Sequence, residues 1–79
     1  MNRLNRIPVS ETALDQWRLQ GTLVRVVRDY NPENDVIGLV AAWNDQKVIL
    51  RKRNKKVVEL FRTYLFQIAS EPRVWEVPE

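Results

Sequence analysis

The chain has 79 residues, 44% hydrophobic and 29% charged, with thirteen Lys and Arg against ten Asp and Glu and a net charge of +3. It is long enough for one domain and too short for a second lobe; at this size folding buries only about 60% of the surface the unfolded form exposes. With no cysteine and no histidine, disulfides, thiolate metal sites and histidine-based catalysis are excluded.

Residues 1–9 mix Arg3 and Arg6 with Leu4, Ile7 and Pro8 and read as an N-terminal arm. They lack the apolar core of a secretory signal, and no apolar run approaches the ~20 residues of a membrane span. A soluble cytoplasmic protein is expected. Ser10 is a good helix cap, Glu11 suits the positive helix end, and Val9 can staple onto Leu14. Leu14 and Trp17 then share a face and Gly21 stops the helix, which is expected over 10–19 at roughly two turns.

From Thr22 the pattern changes. TLVRVVRD alternates Val24 and Val26 against Arg25, a strand pattern in β-branched residues. YNPEND, Tyr30 to Asp35, concentrates turn formers and reads as a loop. VIGLVAAW, Val36 to Trp43, is a continuous apolar run and is expected to be a central strand covered on both faces. Gly38 inside it signals a bulge, a bend or a close backbone approach. KVILRK is a third strand, followed by a short connection into KVVEL.

Residues 55–69 admit two readings. Val57, Leu60, Phe61, Tyr64, Leu65 and Ile68 recur at helical spacing, which would give an α+β protein with a helix there. The β-branched and aromatic content, and the cations Lys55 and Lys56 where a helix N-terminus disfavours them, favour two strands joined by a tight turn at Arg62–Thr63–Tyr64. Pro72 ends either version. Residues 70–79 are a tail in which Arg73 to Val77 alternates well enough to add an edge strand. The whole, residues 1–79, is expected to be a single mainly β domain: one short N-terminal helix and five to six short antiparallel strands forming a small barrel over 21–69.

The stretch Gly21-Thr22-Leu23-Val24-Arg25-Val26-Val27, a turn, then Val36-Ile37-Gly38-Leu39-Val40 resembles the opening hairpin of SH3-like barrels, including the KOW and Sm-like groups. Lys47 to Leu50 with Val57 to Leu60 resembles the family's middle hairpin, and Arg62 to Tyr64 its one-turn helix before a closing strand. The connection from Arg28 to Asp35 is longer and more acidic than a tight KOW turn. The resemblance implies a binding module, with fold analogy saying nothing of the partner.

The strongest functional candidate is LRKRNKK, Leu50 to Lys56. Residues 47–56 hold six cations and no acid, while Asp29, Glu33 and Asp35 gather in one loop and Glu71, Glu76 and Glu79 in the tail. Clustered cations bind nucleic-acid phosphates by releasing counterions. Arg51, Lys52, Arg53, Lys55 and Lys56 would contact RNA or DNA, helped by Arg62 and Arg25. The same run also reads as a solvated hairpin tip that keeps a small barrel soluble and blunts an edge, the commoner use of such runs.

Among the aromatic residues, Trp17 and Trp43 are expected in the core. Tyr30, in a loop, is the expected exposed ring; with Trp75 near the tail it marks a protein-interaction alternative in which the chain binds itself, a peptide or an acidic protein. Asp29, Asp35 and Asp45 read as turn formers rather than acid–base pairs, Ser10 and Ser70 have no histidine partner, and no Gly-rich phosphate loop exists. No enzyme activity, metal, cofactor or small-molecule substrate is expected.

Overall fold

The helix forms where the sequence supplies both of its ends. α1 (Glu11–Gln20) is capped by Ser10, whose Oγ accepts the Ala13 N–H at 3.0 Å. Gly21 closes it at φ 66°, a left-handed conformation open to glycine because it has no Cβ. Val9 packs against the core to which Leu14 belongs, the arrangement a staple between them calls for. The helix runs ten residues, displaced by one residue from the predicted 10–19. The structure, a computed structural model, describes residues 7–75.

Five strands follow: β1 (Leu23–Val27), β2 (Val36–Trp43), β3 (Lys47–Arg51), β4 (Val57–Phe61) and β5 (Leu65–Ile68). All neighbours are antiparallel, in the order β4-β3-β2-β1-β5, so the protein is mainly β: one open sheet with β4 and β5 at its edges, plus one helix. Short turns set most of this order. Asn44 accepts the N–H groups of Gln46 and Lys47 through Oδ1 and turns β2 into β3. The longer Arg28–Asp35 connection is tied by Asp29, which accepts from the Asn31 N–H and from Asn34 Nδ2 at 2.8 Å each.

Residues 55–69 form strands, not a helix. Val58 and Leu60 face the core from β4 while Val57, Glu59 and Phe61 face out, and Tyr64 N–H to Phe61 O at 3.1 Å closes the turn into β5. Period-two burial overrides the helical spacing because β4 can pair with β3 along its whole length. The extra edge strand expected at Arg73 to Val77 does not form over Arg73–Trp75, which is irregular; Glu76 and Val77 lie outside the described residues, as does most of the N-terminal arm. The tail segment is instead fastened by side chains. Arg25 donates to Ala69 O and Glu71 O, Gln67 bonds both backbone groups of Val74, and Arg73 grips Asp35.

Leu14, Val24, Val26, Val40, Val48, Leu50 and Leu60 form the core, with Trp17 and Trp43 packed against it. Leu14 is the helix's one fully buried residue, so truncating it to alanine costs about 3 kcal/mol. β2 is central, as predicted, but it is not covered on both faces: Ile37 and Leu39 are exposed while Gly38 and Val40 are buried. The single short helix packs on the core side of the sheet through Leu14, while Leu23, Ile37, Leu39, Val57 and Phe61 are open to solvent on the strands.

β2 also carries two irregularities. Its register against β3 shifts between Val40 and Ala42, leaving Ala41 as an extra residue that raises the local twist. At Gly38 the backbone of Arg51 comes so close that a Cβ would lie 2.6 Å from the Arg51 carbonyl oxygen. The glycine is there for close approach, one of the three reasons the sequence allowed. Among the described residues no helix is long and apolar enough to cross a membrane.

Candidate functional site

The connection between β3 and β4 is built by its own backbone. The Lys55 N–H donates to Lys52 O at 2.8 Å and the Lys52 N–H to Lys56 O at 2.7 Å, leaving Arg53, Asn54 and Lys55 at the tip. Asn54 Oδ1 accepts the Lys56 N–H at 3.0 Å. Lys55 stands at φ 72°, the left-handed position that three-residue hairpin loops usually give to glycine. Among the described residues it is the one non-glycine with positive φ.

Strand register brings the base of this hairpin against two other strands. Val57 is opposite Arg51, Arg51 opposite Leu39, and Leu39 opposite Leu23, a single row across β4, β3, β2 and β1. Directly opposed residues share a face, so all four point to the outer side of the sheet. The three apolar members stay open to solvent, Leu39 at 38%, Leu23 at 43% and Val57 at 60%.

Together with the hairpin they bound an open groove of about 870 Å³, lined by Gly21, Leu23, Leu39 and Val57 and by the cations Arg51, Lys52, Arg53 and Lys55. Its size falls within the range of pockets that take up a drug-sized molecule. Among the described residues no acid lines it. None of these four cations has a carboxylate within 4.0 Å among the described residues, whereas Lys47 does, with Glu59 at 3.4 Å. A second concavity on the hairpin's other flank shares Lys52 and Arg53 and includes Asp35. That carboxylate is occupied: Arg73 holds it bidentately at 2.6 and 2.9 Å, and Arg25 lies 3.8 Å away. The Asp35 contact in turn holds Arg73 above the usual arginine value, against the opposing effect of burial.

Two of the predicted phosphate contacts are elsewhere. Arg62 is 8% exposed, and its guanidinium donates to Val9 O and Asn44 O at the opposite end of the β3–β4 pair from the hairpin. Arg25 is half-buried and donates to the carbonyls of Ala69 and Glu71. Both spend their guanidinium on backbone carbonyls, Arg62 through Nε and both Nη atoms and Arg25 through both Nη atoms. Lys56 is exposed beside the groove without lining it. Tyr30 is 77% exposed in the β1–β2 connection, and Trp75 is half-buried in the tail; neither lines the groove.

The sequence reading missed Leu23, Leu39 and Val57. Their signal was present as apolar residues in phase with Arg25, Ile37 and Glu59 on the polar side of each alternation. Which of them meet Arg51 depends on register, which the sequence does not state. Among the described residues no group of three or more His, Cys, Asp or Glu side chains could hold a metal ion. Comparisons with protein-family models, with curated proteins and with solved structures find no match to this chain.

Proposed function

We propose that the protein is a small non-catalytic binding module whose β3–β4 hairpin contacts nucleic-acid phosphates. The observation that supports this most is the groove itself, with four cations around it and no acid among the described residues that line it. Phosphate binding asks for clustered positive charge not already neutralised within the protein. Lys55 adds to the case, because a strained lysine occupies a place where glycine would cost less. The strand order, the helix ahead of β1 and the irregularities at Gly38 and Ala41 also support reading the sheet as the SH3-like arrangement, of KOW or Sm-like type, that the sequence resembles.

The test is a titration of labelled oligonucleotides at about 50 and 200 mM salt. Four phosphate contacts on a single strand give a slope near −2.8, hence a loss of about 50-fold over that fourfold range. Replacing Arg53 and Lys55 with Glu should remove most of the affinity and flatten the slope. Absence of binding at the lower salt, or binding indifferent to salt, would end this reading.

A second reading, self-association, is favoured by the open sheet. β4 and β5 are both edges, and β4 exposes Val57 and Phe61. Unpaired edges template further pairing. It predicts a mass that rises with concentration in sedimentation; a monomer throughout removes it.

A further inference from the structure

We infer that the groove seats a base of a single-stranded nucleic acid, so that the module prefers single strands to duplex. This rests on the hairpin being a phosphate-binding element and says what that element selects. The floor carries the argument. A purely electrostatic phosphate site needs only a rim of cations, yet here Leu23, Leu39 and Val57 remain exposed inside the rim, and the Arg51 position falls between Leu39 and Val57 in the same cross-strand row.

Spacing between neighbouring strands is about 4.8 Å, so the row from Val57 to Leu23 spans about 14 Å, room for a flat ring with its sugar. Aliphatic side chains cover the face of a base, and a guanidinium stacks on it through its own plane. Lys52, Arg53 and Lys55 stand around this floor, where the flanking phosphates of an extended strand would pass. A duplex cannot lay a base on the floor, because its base faces are stacked inside and only base edges reach the grooves. An acidic amphipathic peptide matches the charge and the apolar floor and would pair Arg51 edge-on with a carboxylate, but a base ring lies flat over Arg51 and the Leu39 and Val57 beside it in one contact, so the single strand is the occupant the row favours.

Three labelled probes decide this at about 50 mM salt: an oligothymidylate of about 12 nucleotides, an abasic strand of the same length, and a duplex of similar charge. The expected result is that the thymidylate binds about fivefold more tightly than the abasic strand, the lower end of what base stacking on aromatic residues contributes. Leu39→Ser with Val57→Ser, both at exposed positions, should erase that ratio by bringing thymidylate affinity down to that of the abasic strand. Equal affinity for thymidylate and abasic strand, or a duplex bound as tightly as the single strand, overturns the inference and leaves phosphate binding standing. Failure of all three probes overturns both. If a peptide alternating Leu and Glu competes the thymidylate away while the abasic strand binds equally well, the floor belongs to a protein partner and the inference fails.

Discussion

Val9 and Arg62 close on each other: the Val9 N–H donates to the Arg62 carbonyl at 2.9 Å, and Arg62 Nη2 donates to the Val9 carbonyl at 2.6 Å. The same guanidinium reaches Asn44 O at 2.9 Å. One side chain thus joins the segment ahead of α1, the β2–β3 turn and the β4–β5 turn. Arg62→Lys keeps the charge but cannot hold both carbonyls in a planar fork, and should cost about 2 kcal/mol in denaturant melts. Because Arg62 lies at the far end of β4 from the hairpin, oligonucleotide affinity of the folded variant should stay within about twofold of wild type. A large loss of affinity with unchanged stability would return Arg62 to the binding surface.

At Gly38 the neighbour a methyl group would meet is backbone, 2.6 Å away at the Arg51 carbonyl oxygen, with no flexible side chain to move aside. Gly38→Ala should cost about 2 kcal/mol, the range of core overpacking. The displaced segment is the start of the cationic hairpin, so the amides of Lys52 and Lys55, bonded to Lys56 O and Lys52 O, should lose hydrogen-exchange protection more than those of β1. Loss spread evenly over the sheet would show that the contact is not local to the hairpin.

What could be read in advance followed local chemistry. Ser10, Gly21, Val9 and Leu14 marked the helix because caps and staples are written within a few residues of each other. The strands at 57–68 were legible only as a choice, since the helical spacing of Val57, Leu60, Phe61 and Tyr64 is equally real. Pairing with β3 decided it, and pairing is a long-range fact. The cation run announced the hairpin, but Arg25 and Arg62 look like any other surface arginine until the carbonyls they satisfy are in place. The floor of the groove was the least legible part, because Leu23, Leu39 and Val57 are far apart in the chain and meet only through register.

Asp29 ties the β1–β2 connection, and its carboxyl is held below the ordinary value of 3.8, first by the Asn31 N–H, then by the Asn34 side chain, with smaller help from Arg28 and Arg73 against a desolvation effect of opposite sign. A carboxyl whose folded value is depressed stabilises the fold fully above its unfolded value, and that contribution fades as pH falls through the lower, folded value. Asp29→Asn should therefore lower the melting temperature at neutral pH, and the difference from wild type should shrink below about pH 4 as the wild-type carboxylate is protonated. A gap that persists unchanged at about pH 2 would assign the effect to side-chain geometry rather than to charge.

Lys55 joins the fold to the proposed function, because its backbone and its charge pull in different directions. A side chain at φ 72° carries left-handed strain of about 1–2 kcal/mol, which glycine does not. Lys55→Ala removes the charge and keeps the strain, whereas Lys55→Gly removes both. Glycine's greater freedom in the unfolded chain costs back about 0.4–1 kcal/mol, so the Gly variant should be more stable than the Ala variant by about 0.5–1 kcal/mol. In a domain of this size that is about 4 °C in melting temperature. If the hairpin binds phosphates, both variants should weaken oligonucleotide binding alike and reduce the single-strand salt slope by about 0.7, the share of one phosphate. Stability would then rise from Ala to Gly while affinity stays level, separating the strained backbone from the cation it displays. Affinity that follows stability would mean that the lysine acts through the shape of the turn and not through its charge, and an unchanged salt slope in both variants would remove Lys55 from the contact surface.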